Sequence, residues 1–104
     1  MAEHALILTL GLGGSSLPNE EELTAVRGLE REVEAALAAD DVGELDGDEF
    51  GAGSVTIYLY GRDADQMFAS VEGIVRRFPS TSRSAYLRYG DVGDDTAAEK
   101  RLQL

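Results

Sequence analysis

The chain has 104 residues, a formal net charge of -11 and no cysteine, and 43% of its residues are hydrophobic. That length fits one ordinary domain, because two independent cores would each be too small to be stable without metals or disulfides. The absence of cysteine excludes disulfides, thiolate metal sites and cysteine nucleophiles, and the acidity opposes binding to nucleic acids or anionic membranes, which favour clustered Lys and Arg.

The first half of the chain predicts a strand followed by a helix. Residues 5–11 form a short apolar run closed by glycines, which is typical of a buried strand. Asn19 and Glu22 then have the spacing of a capping box, so a helix is expected to begin there. Apolar residues recur along this helix at the spacing of one buried face as far as Asp40; they are Leu23, Val26, Leu29, Val33, Ala36 and Leu37.

The second half predicts a hairpin, a second helix and a further strand. Residues 54–60 alternate β-prone residues, and the Gly-containing residues 51–53 join them to a weaker, acidic strand within 42–50. Asp63 is the expected N-cap of a helix that ends at Pro79. Residues 84–89 then predict the fourth strand.

The order β-α-β-β-α-β predicts an α+β, ferredoxin-like sandwich. We expect an antiparallel four-stranded sheet in the order 4-1-3-2, with both helices on one face. Residues 1–90 are predicted to form a single domain. Residues 91–104 are predicted to be a polar tail, either disordered or with one short helix around 96–102.

The predicted sheet leaves one face without a helix. Because strand side chains alternate with a period of two, the face opposite the helices is expected to be half apolar and rich in tyrosine. Its expected residues are Ile7, Thr9, Thr56, Tyr58, Tyr60, Tyr86 and Arg88. Such a surface fits a homodimer interface, a small ligand or another protein, and it is also compatible with an ordinary solvent-facing surface.

The second predicted strand carries an acidic edge, which comprises Glu44, Asp46, Asp48 and Glu49. Glu44, Asp46 and Asp48 are expected on one side of the strand, where converging carboxylates could bind a divalent cation. The segment Gly47 to Phe50 resembles the end of the signature hairpin of diguanylate cyclases, which implies a second metal-binding aspartate after the first strand. Residues 8–14 contain no acid, so two-metal cyclase chemistry is not predicted and no metal ligand is assigned. Cation binding by the acidic edge is left open, and the favoured interpretation is that the acids protect the sheet edge or meet a basic partner.

No catalytic constellation is predicted. His4 is the single histidine and lies near the N-terminus, where it is expected to face solvent or cap an element rather than serve in a triad or a metal site. We expect no cofactor, no nucleic-acid partner and no membrane association. Without a membrane-spanning run or the basic start of a signal peptide, a cytoplasmic location is predicted.

The sequence therefore favours a small, acidic, non-enzymatic interaction module. It would form a homodimer or bind a basic protein partner, as an immunity or antitoxin-like protein would. The alternative is a small-molecule sensor or enzyme with a pocket lined by Tyr58, Tyr60 and Tyr86, in which Arg88 pairs a ligand carboxylate.

Overall fold

Two helices and five strands make up the part of the chain that the computed structural model describes, which is residues 3–13, 17–91 and 93–104. The α+β class, the two helices and the antiparallel sheet are as predicted. In chain order the elements are β1 (His4–Gly11), α1 (Glu20–Asp40), β2 (Glu44–Gly51), β3 (Ser54–Gly61), α2 (Ala64–Arg77), β4 (Arg83–Arg88) and β5 (Glu99–Gln103).

The sheet corrects the predicted strand count and order. It has five strands in the order β2-β3-β1-β4-β5, and every neighbouring pair is antiparallel. The prediction of four strands in the order 4-1-3-2 was wrong, because it ended the sheet at β4. Strands β1 to β4 do have the neighbours that were predicted. The difference is β5, which adds a fifth strand beside β4.

The added strand comes from the segment that was predicted to be a tail. Glu99–Gln103 pairs with β4, and the backbone N–H of Leu104 donates to the carbonyl oxygen of Arg83 at 2.9 Å. Leu102 and Leu104 are partly buried against the core, while their neighbours in sequence are exposed. Two leucines spaced by two residues are enough to hold this segment as an edge strand, so the helix expected around 96–102 is replaced by β5.

The core lies between one face of the sheet and the two helices. Alternate residues of the three central strands are buried, and the apolar stripes of α1 and α2 pack on them. The sheet contributes Leu6, Leu8, Leu10, Val55, Ile57, Leu59, Ala85 and Leu87. Because all these side chains point to the same side, the period of two sends the intervening residues to the opposite face.

The start of α1 has the capping box that its sequence predicts. The Asn19 side chain accepts a hydrogen bond from the Glu22 backbone N–H at 2.8 Å, and the Glu22 carboxylate accepts one from the Asn19 N–H at 2.9 Å. We expect Asn19→Ala to lower the free energy of unfolding by about 1 kcal/mol, because the Glu22 N–H loses its partner. Urea unfolding followed by circular dichroism measures this, and an unchanged midpoint would show that solvent replaces the cap without loss.

Candidate interaction face

The sheet face opposite the helices, here called the open face, is built from three rows of residues that run across all five strands. Each row follows from the strand registers, in which paired residues point to the same side. From β2 to β5, the first row is Glu44, Tyr60, Ala5, Arg88 and Glu99; the middle row is Gly47, Tyr58, Ile7, Tyr86 and Arg101; and the third row is Glu49, Thr56, Thr9, Ser84 and Gln103.

The structure brings together on this face every residue that the sequence placed there. The predicted set of Ile7, Thr9, Thr56, Tyr58, Tyr60, Tyr86 and Arg88 lies within the three rows, and each of its members is half-buried. Both helices pack on the other side of the sheet. Within the described ranges, no helix covers these residues.

The centre of the open face is aromatic and apolar. Ile7 lies on the middle strand with Tyr58 on one side and Tyr86 on the other. The Tyr58 hydroxyl donates a hydrogen bond to the Glu49 carboxylate at 2.6 Å, and this acceptor raises the pKa of Tyr58. The hydrogen bond fixes the ring at the side of β2, so its outer face stays available for packing.

The β5 side of the open face carries a cation. The Arg101 guanidinium lies 4.5 Å from the centre of the Tyr86 ring, at the distance of a cation–π contact. Beside it, a shallow groove of about 320 Å³ runs between β1, β4 and β5. The groove is partly open to solvent and has hydroxyl, amide and apolar groups in its lining, including Thr9, Ser84 and Gln103.

Arg88 binds the chain segment that leads to β5. Its guanidinium donates to the carbonyl oxygen of Asp91 at 3.2 Å and to that of Asp94 at 2.5 Å, and it lies 3.9 Å from the Glu99 carboxylate. These contacts hold the connection between β4 and β5 against the end of the sheet. A ligand carboxylate at Arg88 would therefore have to compete with these backbone carbonyls.

The acidic edge does not have the arrangement that was predicted. A β-bulge between Leu45 and Gly47 shifts the register of β2, so Glu44, Asp46 and Asp48 do not share one side of the strand. Glu44 and Glu49 lie on the open face, and Asp48 lies on the side of the helices. The prediction assumed unbroken alternation, which one extra residue in the strand reverses beyond the bulge.

Asp48 instead belongs to a charged cluster between β2 and α1. The Arg27 guanidinium contacts Asp48 at 2.5 Å and Glu30 at 2.7 Å. Glu30 is only 6% exposed, and its burial beside Asp48 raises its pKa to about 6, while the hydrogen bond from Glu30 lowers the pKa of Asp48. These two carboxyl groups therefore share a proton over the mildly acidic range.

His4 is a capping residue of α2. Its Nδ1 accepts a hydrogen bond from the Ala64 backbone N–H at 3.1 Å, and its ring meets the edge of Tyr89 with the ring centres 5.7 Å apart. Tyr89 in turn donates to Asp65 at 2.7 Å, and its burial raises its pKa to about 12. Both rings thus attach the start of α2 to the sheet.

Sequence reasoning missed three contributors to the open face, Glu99, Arg101 and Gln103, because it treated their segment as a tail. The signal was present: Leu102 and Leu104 are spaced by two residues, with the polar Gln103 between them and the polar Arg101 before them. That alternation indicates a short edge strand whose polar side chains face away from the core. It places Arg101 and Gln103 on the open face.

The chemistry around the open face offers no recognisable catalytic or metal-binding pattern. In the residues that the structure describes, no group of three or more His, Asp or Glu side chains is placed to hold a metal ion. The helices described are each too short or too polar to cross a membrane. Comparison of the chain with protein-family models, with curated proteins and with solved structures finds no match.

Proposed function

We propose that this chain is a non-enzymatic protein-interaction module, and that its open face binds a second copy of itself. The observation that carries the proposal is the middle row, in which Tyr58, Ile7 and Tyr86 lie side by side with no helix over them in the described chain. Antiparallel sheets with one solvated face usually carry polar residues there. An apolar, aromatic centre with a polar rim is typical of a protein interface.

The charges on the rim favour a second copy over an unrelated surface. Glu44 and Glu49 lie at the β2 side of the open face, whereas at the β5 side two cations, Arg88 and Arg101, outnumber the one acid, Glu99. The face is therefore acidic at one end and cationic at the other, which makes it complementary to itself after a twofold rotation. The overall charge of -11 is mostly carried elsewhere and is screened beyond about 8 Å at physiological ionic strength.

The size of the open face sets the expected strength of the dimer. Five strands spaced by about 4.8 Å, each roughly 20–25 Å long, give a flat area on the order of 500 Å². Two such faces together bury about 1,000 Å², which is near the lower limit for a specific interface. We therefore expect a reversible dimer whose population depends on protein concentration.

The alternative of a small-molecule site has less support. The groove beside Arg101 is only partly enclosed, whereas ligand sites usually bury most of their ligand. Arg88, the residue expected to pair a ligand carboxylate, already binds the carbonyl groups of Asp91 and Asp94. A flat, partly aromatic surface of this kind fits another protein surface better.

The test is the solution mass of the protein by sedimentation and light scattering over a wide concentration range. The wild-type mass is expected to rise from 11.1 kDa towards twice that value. Ile7→Glu, which places a charge at the centre of the open face, is expected to raise the dimer dissociation constant at least tenfold. A double variant, Tyr58→Glu with Tyr60→Glu, tests the same surface should Ile7→Glu fail to fold.

The matched control is Leu23→Glu, which adds the same charge to an exposed apolar residue of α1 on the other side of the molecule. It is expected to leave the dimer unchanged. A wild-type protein that stays monomeric at all concentrations contradicts self-association. A dimer that Leu23→Glu weakens and Ile7→Glu does not would place the interface on the helices.

A further inference from the structure

We propose that the second copy binds about a twofold axis parallel to β1, so that Arg101 of each copy lies over Gly47 of the other, between Glu44 and Glu49. This inference rests on the proposed function, and it names the arrangement and the charge pairs that the dimer uses. It follows from the three rows of the open face and from the missing side chain at Gly47.

The rows determine which residues such an axis brings together. A twofold axis that lies in the interface along β1 exchanges left and right across the sheet but keeps each row at its own level. Ile7 then faces Ile7 of the second copy, and Tyr58 faces Tyr86. At the two ends of the same row, Gly47 faces Arg101, and this pair occurs twice.

Gly47 leaves space at the position that Arg101 would occupy. A Cβ built on Gly47 would have no atom within 4 Å, so the surface of β2 is low there. Glu44 and Glu49 border this gap along the strand. Arg101 can reach it, because its side chain is 77% exposed and its guanidinium, which lies over Tyr86 on the same face, can turn from that ring towards the second copy.

The crossing angle between the two packed sheets would not separate Arg101 from the glutamates of the second copy. Packed sheets cross at roughly 30°, which displaces residues about 10 Å from the axis by about 5 Å along the strand. Arg101 of the second copy would then move from Gly47 towards one of the two glutamates. Because a carboxylate lies on each side of Gly47, a displacement in either direction keeps the guanidinium beside an acid.

The other simple twofold axis gives a repulsive interface. An axis perpendicular to the strands places β2 over β2 and β5 over β5 of the second copy. Glu44 would then face Glu49, and Arg101 would face Arg101, so like charges would meet at both ends. The axis parallel to β1 also brings Glu44 of each copy near Glu99 of the other, so this contact between like charges occurs twice, but Glu99 lies 3.9 Å from both Arg88 and Arg101 of its own chain.

The test is a charge exchange between two variants. One carries Arg101→Glu, and the other carries Glu44→Arg with Glu49→Arg. In a homodimer of either variant like charges face each other, so each dissociation constant is expected to rise at least tenfold. In an equimolar mixture both contacts regain opposite charges, and the mixture is expected to form the heterodimer with near wild-type affinity, as measured by sedimentation with one variant labelled.

The controls make the same charge changes on α1, which lies on the other side of the sheet. Arg31→Glu matches the first variant, and Glu32→Arg with Glu34→Arg matches the second. Neither control is expected to change dimerisation, and the two mixed together should gain nothing. Circular dichroism verifies that all the variants are folded.

Each outcome of the exchange separates this inference from the proposed function. Recovery of the dimer only in the mixture supports the Arg101 pairing. If Ile7→Glu dissociates the dimer while both charge variants leave it intact, the open face binds a second copy but in another arrangement, and the inference is wrong. If Arg101→Glu and the double arginine variant each weaken the dimer and the mixture does not recover, the three residues do not pair across the interface.

Discussion

Leu8→Ala is expected to lower the free energy of unfolding by about 3 kcal/mol, whereas Ile7→Ala is expected to lower it by about 1 kcal/mol or less. The two residues are neighbours on β1, the central strand of the sheet. Leu8 is fully buried between the sheet and the helices, so its truncation leaves a cavity in the core. Ile7 points to the open face, where water replaces the lost methyl groups.

Urea unfolding of both variants, at concentrations where the wild type is monomeric, measures this difference. Equal losses would contradict the open face, because they would require Ile7 to be covered as fully as Leu8. At concentrations where the dimer forms, the loss for Ile7→Ala should grow, since dissociation is then linked to unfolding. For Leu8→Ala the loss of unfolding free energy should stay the same at every protein concentration, because this substitution does not change the dimer interface.

The alternation of core residues such as Leu8 with open-face residues such as Ile7 also explains which parts of the fold could be predicted. In β3 and in the middle of β1, from Leu6 to Leu10, buried and half-buried residues alternate, so the sequence determines which side chains face the helices. The helices were predictable as well, because Asn19 and Asp63 supply their N-caps. Local patterns of this kind need no knowledge of the rest of the molecule, and the central residues of the open face follow from them.

The two edges of the sheet could not be predicted by local patterns alone. The bulge in β2 moves Asp48 to the side of the helices, where Arg27 of α1 binds it; this contact joins residues that are distant in sequence. β5 has only Leu102 and Leu104 to bury, which is a weak signal in a polar segment. Both edges therefore depend on tertiary contacts, and they supply the charges that the proposed dimer uses.

The cluster that holds β2 to α1 is also expected to make stability depend on pH. Burial raises the pKa of Glu30 from its ordinary value of 4.5 to about 6. Between these values the unfolded chain has lost the Glu30 proton while the folded chain keeps it, so the folded state is favoured less and less as the pH rises. The free energy of unfolding should fall by about 2 kcal/mol from pH 4.5 to above pH 6 on account of this group.

Asp48 contributes in the opposite direction. Its pKa is lowered by the hydrogen bond from Glu30 and by the Arg27 guanidinium, so its contribution to stability is lost only as the pH falls below the ordinary range of an aspartate. The pair is therefore most favourable to folding near pH 4 to 5, where one proton is shared between the two carboxyl groups.

Glu30→Gln is the variant that isolates the effect, because the amide keeps the shape of the protonated carboxyl group and can still donate to Asp48 and accept from Arg27. Relative to the wild type, we expect equal stability near pH 4.5 and a gain of about 2 kcal/mol at pH 7.5, where the wild type must bury the ionised carboxylate. Urea unfolding at half-unit steps of pH measures the difference. The control is Glu34→Gln, which removes a charge from the exposed face of the same helix. Its unfolding free energy should differ from that of the wild type by an amount that is constant with pH. If the difference for Glu30→Gln were equally constant, Glu30 would be ionised in the folded protein throughout this range.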